Sequence, residues 1–336
     1  MVFQIAVSII LTVVFSFVVA PVSISLAWRF HLIDKPGSEA RKIHKNPMPR
    51  AGGTIIFLAI LAGGALSGVL TTRPFTSIIL ASLIVFAFGI WDDIHNIRAI
   101  WKLLGQIIAT VILIWQGVVV LFPGNPVLNI AITIFWVIGI TNAINLVDSM
   151  DGLAVGLAGI TVSFLTIGAL YAGQNTLALF GAIILGACIS VFYLNFSLSR
   201  LFLGDSGTQL LGFTLAALAI VYTPPHLPQA SSWFVPILLF SVPIFDTTLV
   251  TFSRMRRKLP VYMGNRDHTY HRLVDLGATP HRAVLLIHLV AILLDCLAFF
   301  ALSLSPLWAN ITFGIILLSG LLAIIWLESK QQMESQ

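Results

Sequence analysis

The sequence predicts an all-α polytopic membrane protein of about eleven transmembrane helices, with its N-terminus outside and its C-terminus in the cytoplasm. Three observations carry that expectation. Of 336 residues, 58% are hydrophobic and only 9% charged, with a mean hydropathy of +1.00, whereas soluble domains run near about 25% charged. The few charges gather in short segments between long charge-free runs. The basic residues then favour every second segment, the mark of a chain threaded repeatedly through a bilayer. A water-soluble globular enzyme is excluded, and so is a disordered chain, which would be poor in apolar residues.

Each span follows from a run long enough to cross, about 20 apolar residues. Residues 1–28 carry no charge and no basic region precedes the apolar run, so they read as a first span ending at Arg29 rather than a cleaved signal peptide. Residues 51–72 and 74–91 give two more, parted by Thr72-Arg73-Pro74. The charge-free runs 103–147, 152–199 and 206–245 are each too long for one helix. Each has a central breaker: Phe122-Pro123-Gly124-Asn125-Pro126, Tyr171-Ala172-Gly173-Gln174-Asn175, and Thr223 to Pro228. Residues 284–327 hold the last two spans around Ser303–Pro306. Cys188 and Cys296 lie inside apolar runs and read as packing residues, not as a disulfide or metal pair.

The loops near 29–50, 91–102, 143–152, 196–206 and 253–283, with the C-terminal tail, fall on one side and hold every lysine and arginine except Arg73. Positive-inside bias puts that side in the cytoplasm. No repeat or soluble domain interrupts residues 1–336, which read as one integral-membrane domain whose site faces the cytosol.

The acids sit where a membrane protein bears them at a cost. Asp92, Asp93, Asp148, Asp151 and Asp205 lie at cytoplasmic span ends and Asp246 slightly deeper; such acids tend to mark function. Singly, each could be a solvated helix cap. Adjacent Asp92 and Asp93 could hold a divalent cation, position a phosphate through one, or serve as a base. Asn145 and Asp148 share a helical face, and oxygen donors of this kind suit Mg²⁺ with substrate phosphates. In Gly204-Asp205-Ser206-Gly207 the glycines allow close approach at a helix N-terminus, which attracts anions. His268 and His271, flanked by Arg266 and Arg272, suit a diphosphate. Arg254, Arg256, Arg257 and Lys258 read first as positive-inside anchors, and the basic loop from Asp34 to Gly53 supports a phosphate contact and a topology signal equally.

In order, these pieces resemble the polyprenyl-phosphate N-acetylhexosamine-1-phosphate transferase family. The matching motifs are Asp34-Lys35-Pro36, Pro49-Arg50-Ala51-Gly52-Gly53, Asp92-Asp93, the run Asn142 to Ala154, Leu203 to Gly207, and His268 to Leu273. The set looks closer to the branch that begins O-antigen, enterobacterial common antigen and teichoic acid synthesis than to the muramoyl-pentapeptide branch, which shows three consecutive histidines and a Gly-Asp-Val-Gly. The resemblance implies a bacterial inner-membrane enzyme in which undecaprenyl phosphate attacks the β-phosphorus of a UDP-N-acetylhexosamine, most simply UDP-N-acetylglucosamine. Undecaprenyl-diphospho-sugar and UMP are formed, with Mg²⁺ required and Mn²⁺ as a substitute. No nucleic acid is implied, and a homodimer is compatible with the resemblance.

Carried over by motif, Asp205 is the principal metal ligand with Asn145 beside it. Asp92 and Asp93 bind or deprotonate the lipid phosphate, or help hold the metal. Asp148 and Asp151 lie against the nucleotide, Asn195 and Lys45 are further nucleotide contacts, and His268, His271 and Arg272 hold the donor diphosphate. One departure stands out: where the family reads His-x-His-His, this chain has Tyr270, which can hydrogen-bond phosphate but supplies no imidazolium. A lipid phosphate with a second pKa near about 6 is already largely dianionic at neutral pH, which favours direct attack over a covalent aspartyl intermediate. Two rival classes fit less well. A secondary transporter would keep its acids near mid-membrane, where only Asp295 lies, read here as a hydrogen-bonded interhelical contact. A CDP-alcohol phosphotransferase would follow Asp151-Gly152-Leu153-Ala154 with Arg and two further acids, but Val155 follows and no acid comes before Asp205.

Overall fold

The computed structural model describes residues 1–35, 46–121, 125–224, 229–259 and 267–334. Lys45, expected at the nucleotide, lies outside them. Among the described residues the chain is helical except for one antiparallel pair of two-residue strands, β1 (Ile33–Asp34) and β2 (Met48–Pro49), with Ile33 opposite Pro49 and Asp34 opposite Met48.

Eight helices are long and apolar enough to cross a membrane: α1 (Val2–Arg29), α3 (Phe75–His95), α5 (Pro126–Val147), α6 (Leu153–Tyr171), α7 (Asn175–Phe192, extended by a π turn through Ser197), α8 (Gly204–Val221), α13 (Pro280–Ala301) and α14 (Pro306–Glu334). Two shorter apolar helices, α2 (Gly52–Leu66) and α4 (Ala99–Trp115), stand among them. The chain is a multi-pass, all-α membrane protein. The break expected at Tyr171 to Asn175 falls between α6 and α7, with Gly173 left-handed.

Two boundaries differ from the sequence expectation. The span expected to end by residue 245 is instead three pieces: α9 (Gln229–Ser232), α10 (Val235–Leu239) and α11 (Ser241–Arg256). Pro236 and Pro243 each fall in the first turn of a piece, where a missing N–H is tolerated, and neither could sit mid-helix without a break. The helix α3, expected to stop at residue 91, runs on to His95 and ends on Asn96, whose left-handed φ of 49° closes it. Asp92 and Asp93 therefore occupy its last turn, on a rigid element rather than in a loop. A short α12 (Thr269–Asp275) carries the histidine motif.

The chain divides into two compact units, Met1–Thr223 and Pro224–Gln336. In the first, α8 is the central helix, packed by α2, α3, α5 and α6. Every residue from Ser206 to Ala219 is buried. With no hydrophobic force between helices in lipid, such packing needs small residues and interhelical hydrogen bonds. Both are present. A Cβ on Gly53 would sit 2.5 Å from the Gly207 nitrogen, and one on Gly89 would collide with the Ser206 backbone. Ser82 and Thr214 hydroxyls pair at 3.0 Å, the Asn142 amide donates to Gln106 at 2.8 Å, and the Trp136 indole donates to the Ala216 carbonyl at 3.1 Å. By contrast α1 lays only a small-residue seam (Thr12, Ser16, Ala20, Ser23, Ala27) inward and exposes Leu11, Val14, Val18 and Val22.

In the second unit, α13 packs with α10, α11, α12 and α14. Asp295, midway along α13, is buried, and among the described residues neither carboxyl oxygen has a hydrogen-bond partner, so the expected interhelical hydrogen bond is not made. Cys188 is buried and Cys296 exposed, and both are free.

The close approach of α3 to α8 has a measurable consequence. Gly89→Ala should lower thermal stability in detergent by about 1–3 kcal/mol through overpacking. Gly139→Ala, on an exposed face of α5 with nothing within 4 Å, should be neutral or stabilising by up to about 1 kcal/mol from helix propensity. Equal effects at the two positions would mean that α8 is not gripped as described.

Candidate active site

The buried start of α8 is organised by Asp93. Its Oδ1 accepts from the Asp205 backbone N–H at 2.9 Å and its Oδ2 from the Ser206 N–H at 3.0 Å. Those are orphan donors of a helix N-terminus, and a carboxylate there also meets the positive end of the helix dipole. The Asp93 side chain is fully buried. Its charge is answered by Arg50, whose Nη1 lies 3.3 Å from Oδ1 while Nη2 donates to Asp34 at 2.6 Å. Burial works against the Arg50 charge, but the Asp93 carboxylate and the Asp34 hydrogen bond outweigh it and raise its pKa above the usual arginine value. Arg50 is held in place by the backbone: its N–H donates to Leu32 O, Phe202 N–H to Pro49 O, and the Gly52 and Gly53 N–H groups to Phe202 and Leu203.

The neighbouring acid faces elsewhere. Asp92 Oδ2 accepts from Lys102 Nζ at 2.8 Å, and the same ammonium reaches Asp205 Oδ1 at 3.0 Å. Lys102, in the first turn of α4, thus clasps two carboxylates from α3 and α8. Asp205 is the open member, with 27% of its side chain exposed. Asn145 joins through Thr208, whose hydroxyl lies 2.6 Å from Asn145 Oδ1 and 3.2 Å from the Asp205 carbonyl. Asp92, Asp205 and Asn145 are therefore brought together, as the motif reading expects, while Asp93 turns inward to cap the helix.

Asp148 ends α5 and is exposed, and Asp151 follows in the turn before α6. Asn195 braces that turn: its Oδ1 accepts from Gly152 N–H at 2.5 Å and its Nδ2 donates to Leu201 O at 2.8 Å. Both ends of this buried amide hold the chain's own backbone, so Asn195 shapes the loop on which Asp151 stands rather than reaching outward. Gly152 has φ of 79°, and Phe196 fills the place of its missing side chain.

The second unit holds a separate cationic cluster. His268 Nδ1 lies 2.7 Å from Asp246 Oδ2, and Asp246 Oδ1 accepts from Thr269 N–H at 2.7 Å. Asp246 thereby fixes the imidazole and directs Nε2 away from itself. His271 and Tyr270 are both buried, with ring centroids 5.1 Å apart. Arg254 and Arg257 share Asp267, and Arg256 and Arg272 share Glu328 on α14. The Arg run expected only to anchor the topology is thus built into an ion network.

Several members escaped the motif reading. Lys102 was the largest omission. Its one signal was a lone lysine immediately ahead of the charge-free run 103–147. Arg50 and Asp34 lay inside matched motifs but read only as basic loop. Glu328, near the end of a lipid-facing helix, carried no signal.

Among the described residues no three His, Cys, Asp or Glu side chains are grouped to hold a metal ion. Mg²⁺ takes one or two carboxylates and completes its shell with water and substrate phosphates. Asp92 and Asp205, drawn to one ammonium, with the Asn145 oxygen one hydroxyl away, are such donors.

Comparison with known proteins points the same way. The profile of glycosyl transferase family 4 matches residues 75–223, all within the first unit. A probable undecaprenyl-phosphate N-acetylglucosaminyl 1-phosphate transferase of Bacillus subtilis is 29% identical over 317 residues, covering 92% of this chain and 87% of that protein. A decaprenyl-phosphate N-acetylglucosaminephosphotransferase of Mycobacterium leprae is 30% identical, covering 74% of this chain and 72% of that one. An undecaprenyl-phosphate alpha-N-acetylglucosaminyl 1-phosphate transferase of Escherichia coli O157:H7 is 28% identical, with 80% and 76% covered. With likeness running through both units and the motif acids gathered at the head of α8, the chain belongs to glycosyl transferase family 4, among the polyprenyl-phosphate N-acetylhexosamine-1-phosphate transferases.

Proposed function

We propose that this protein transfers N-acetylglucosamine-1-phosphate from UDP-N-acetylglucosamine to undecaprenyl phosphate, releasing UMP, in a Mg²⁺-dependent reaction at the cytoplasmic face of the bacterial inner membrane. One observation carries the chemistry: Lys102 clasping Asp92 and Asp205 at the end of the central helix. The names of the relatives support the sugar phosphate and the polyprenyl acceptor. The concentration of basic residues on one set of loops supports the orientation.

Joining two phosphates requires mostly position and charge neutralisation. An oxygen of the lipid phosphate forms a bond to the β-phosphorus. The bond from that phosphorus to the bridging oxygen breaks, and UMP leaves with the electron pair. At neutral pH the attacking phosphate is already largely dianionic, so no side chain need remove a proton. Asp92 and Asp205 would hold Mg²⁺, with Asn145 beside them. A metal held there would supply positive charge to neutralise the phosphate oxygens. Lys102 keeps the two acids on one spot against their mutual repulsion. Asp93 fixes the backbone from which Asp205 projects, and is therefore a positioning residue. In the second unit, His268, oriented by Asp246, and Arg272 offer donors suited to a diphosphate. The acceptor's tail is accommodated by the exposed apolar faces of the helices.

UMP release in detergent, with and without undecaprenyl phosphate, tests the whole reading: release must depend on the lipid, and acceptor-independent uptake of UDP-sugar into vesicles would point to a transporter. Asp205→Asn should lower kcat/KM by about 10³-fold or more with thermal stability unchanged; near-normal turnover would remove it from the metal site. Asp93→Asn should instead lower thermal stability, by about 1–3 kcal/mol, along with activity. Chelation by EDTA should abolish turnover, with Mg²⁺ restoring it and Mn²⁺ restoring part; a rate indifferent to EDTA would rule the metal out.

A further inference from the structure

Glu328 is a buried charge on a helix with little reason to carry one. The side chains of α14 facing outward are apolar and exposed, among them Leu318, Leu321, Leu322, Ile325 and Trp326. On the inner face Ile324 and Leu327 pack with Leu249 and Phe245 of α11. Next to them Glu328 is only 4% exposed. A lone buried carboxylate costs several kcal/mol unless its partners are good, so what it holds is informative.

It holds two guanidiniums. Arg272 Nη2 donates to Glu328 Oε1 at 2.6 Å, and Arg256 Nη2 lies 2.8 Å from Oε2. Arg272 is held on a second edge, where Nε donates to the Asp267 carbonyl at 3.1 Å. A planar guanidinium held on two edges has a fixed orientation. Its third corner, Nη1, is buried and has no hydrogen-bond partner among the described residues. Arg272 also belongs to a cationic network, in which Arg254 and Arg257 share Asp267 and Arg256 shares Glu328 with it. A buried N–H donor without a partner, rigidly aimed and within a cationic cluster, is an arrangement for an anionic oxygen.

We infer that Glu328 is a positioning residue for binding of the anionic donor: it locks the Arg272 guanidinium so that Nη1 meets a diphosphate oxygen. The inference rests on the proposed nucleotide-sugar transfer for the identity of that anion. It adds the last helix, far in sequence from every recognised motif, to the donor site. Glu328 contributes through geometry, because its own charge opposes the anion and would by itself weaken binding.

That opposition makes the test discriminating. In purified full-length protein, KM for UDP-N-acetylglucosamine and for undecaprenyl phosphate are measured separately, with equilibrium binding of inorganic pyrophosphate alongside. Glu328→Ala should raise the donor KM about tenfold, the scale of one charge-assisted hydrogen bond, and leave the acceptor KM unchanged. Glu328→Gln, which keeps an acceptor for Nη2, should return the donor KM to within about threefold of wild type. Arg272→Ala should raise it at least as far as Glu328→Ala, and the double variant no further than Arg272→Ala alone. If Glu328→Ala does not fold, Glu328→Asp, which retracts the carboxylate by one methylene, carries the same expectation at several-fold. An unchanged donor KM with reduced thermal stability would leave Glu328 as a mere anchor of α14 and overturn the inference. Tighter donor binding in both Ala and Gln variants would overturn it too, by showing that charge and not geometry governs. Failure of the transferase reading looks different, since wild type would then release no UMP from any UDP-sugar. Pyrophosphate binding would decide the inference in that case: loss in Glu328→Ala with recovery in Glu328→Gln upholds it, and indifference to both ends it.

Discussion

The carboxylate of Asp93, sealed at the head of α8, is the constraint on which the first unit depends. An ion of that size cannot be buried without partners, and Asp93 has three: the N–H groups of Asp205 and Ser206 and the guanidinium of Arg50. Each partner in turn needs its own support. Arg50 is tied by Asp34 and by backbone bonds running from Leu32 to Leu203. Satisfying one buried charge thereby draws the strand pair, the end of α3 and the start of α8 to a common point, and Asp205 emerges from that point with its backbone already fixed. The neighbouring acids Asp92 and Asp93 divide the work: Asp93 builds the platform and Asp92 faces Lys102.

The crowding of α8 serves the same end. A helix buried along its whole length by neighbours at glycine-to-backbone distance has little freedom to slide or rotate. Catalysis by positioning needs such rigidity, because misplacing a reacting group by about 1 Å can cost about 10²-fold in rate. The outer helices answer to a different solvent. On α1 and α14 the exposed face is apolar and needs only to match lipid, so packing there is confined to a narrow seam.

What the sequence made legible follows from this division. Charge-free length, breaker clusters and the one-sided placement of lysine and arginine carried the polytopic helical class, because bilayer thickness and backbone hydrogen bonding leave few alternatives. The acids stood out because they are rare in such a chain. Partner choice did not. That Lys102 would meet both Asp92 and Asp205, ten and over a hundred residues away, depends on how three helices pack, and neither spacing nor residue type encodes it. Asn195 and Arg272 show the converse: the first was expected at the nucleotide and the second matched a motif, yet the structure ties Asn195 to Gly152 and Leu201 and two edges of Arg272 to Asp267 and Glu328. The three-part α9–α11 stretch was hidden because its composition is as apolar as an unbroken span; the prolines that divide it were visible, but not where the helices would restart.

Lysine between two acids raises a question of sign that the chemistry resolves. Two carboxylates this close repel each other, and in a poorly screened membrane interface that repulsion would pull Asp92 and Asp205 apart. An ammonium is a compact point charge on a flexible stem. It neutralises the pair, at 2.8 and 3.0 Å, without imposing a fixed plane on either carboxylate. A rigid, bidentate arginine in its place would hold the acids more firmly and release them less readily. Where orientation matters more than exchange, as with Arg50 at Asp93 and Arg272 at Glu328, the protein uses guanidiniums locked on two sides. The choice of cation at each point thus tracks whether the carboxylate beside it must stay put or become available.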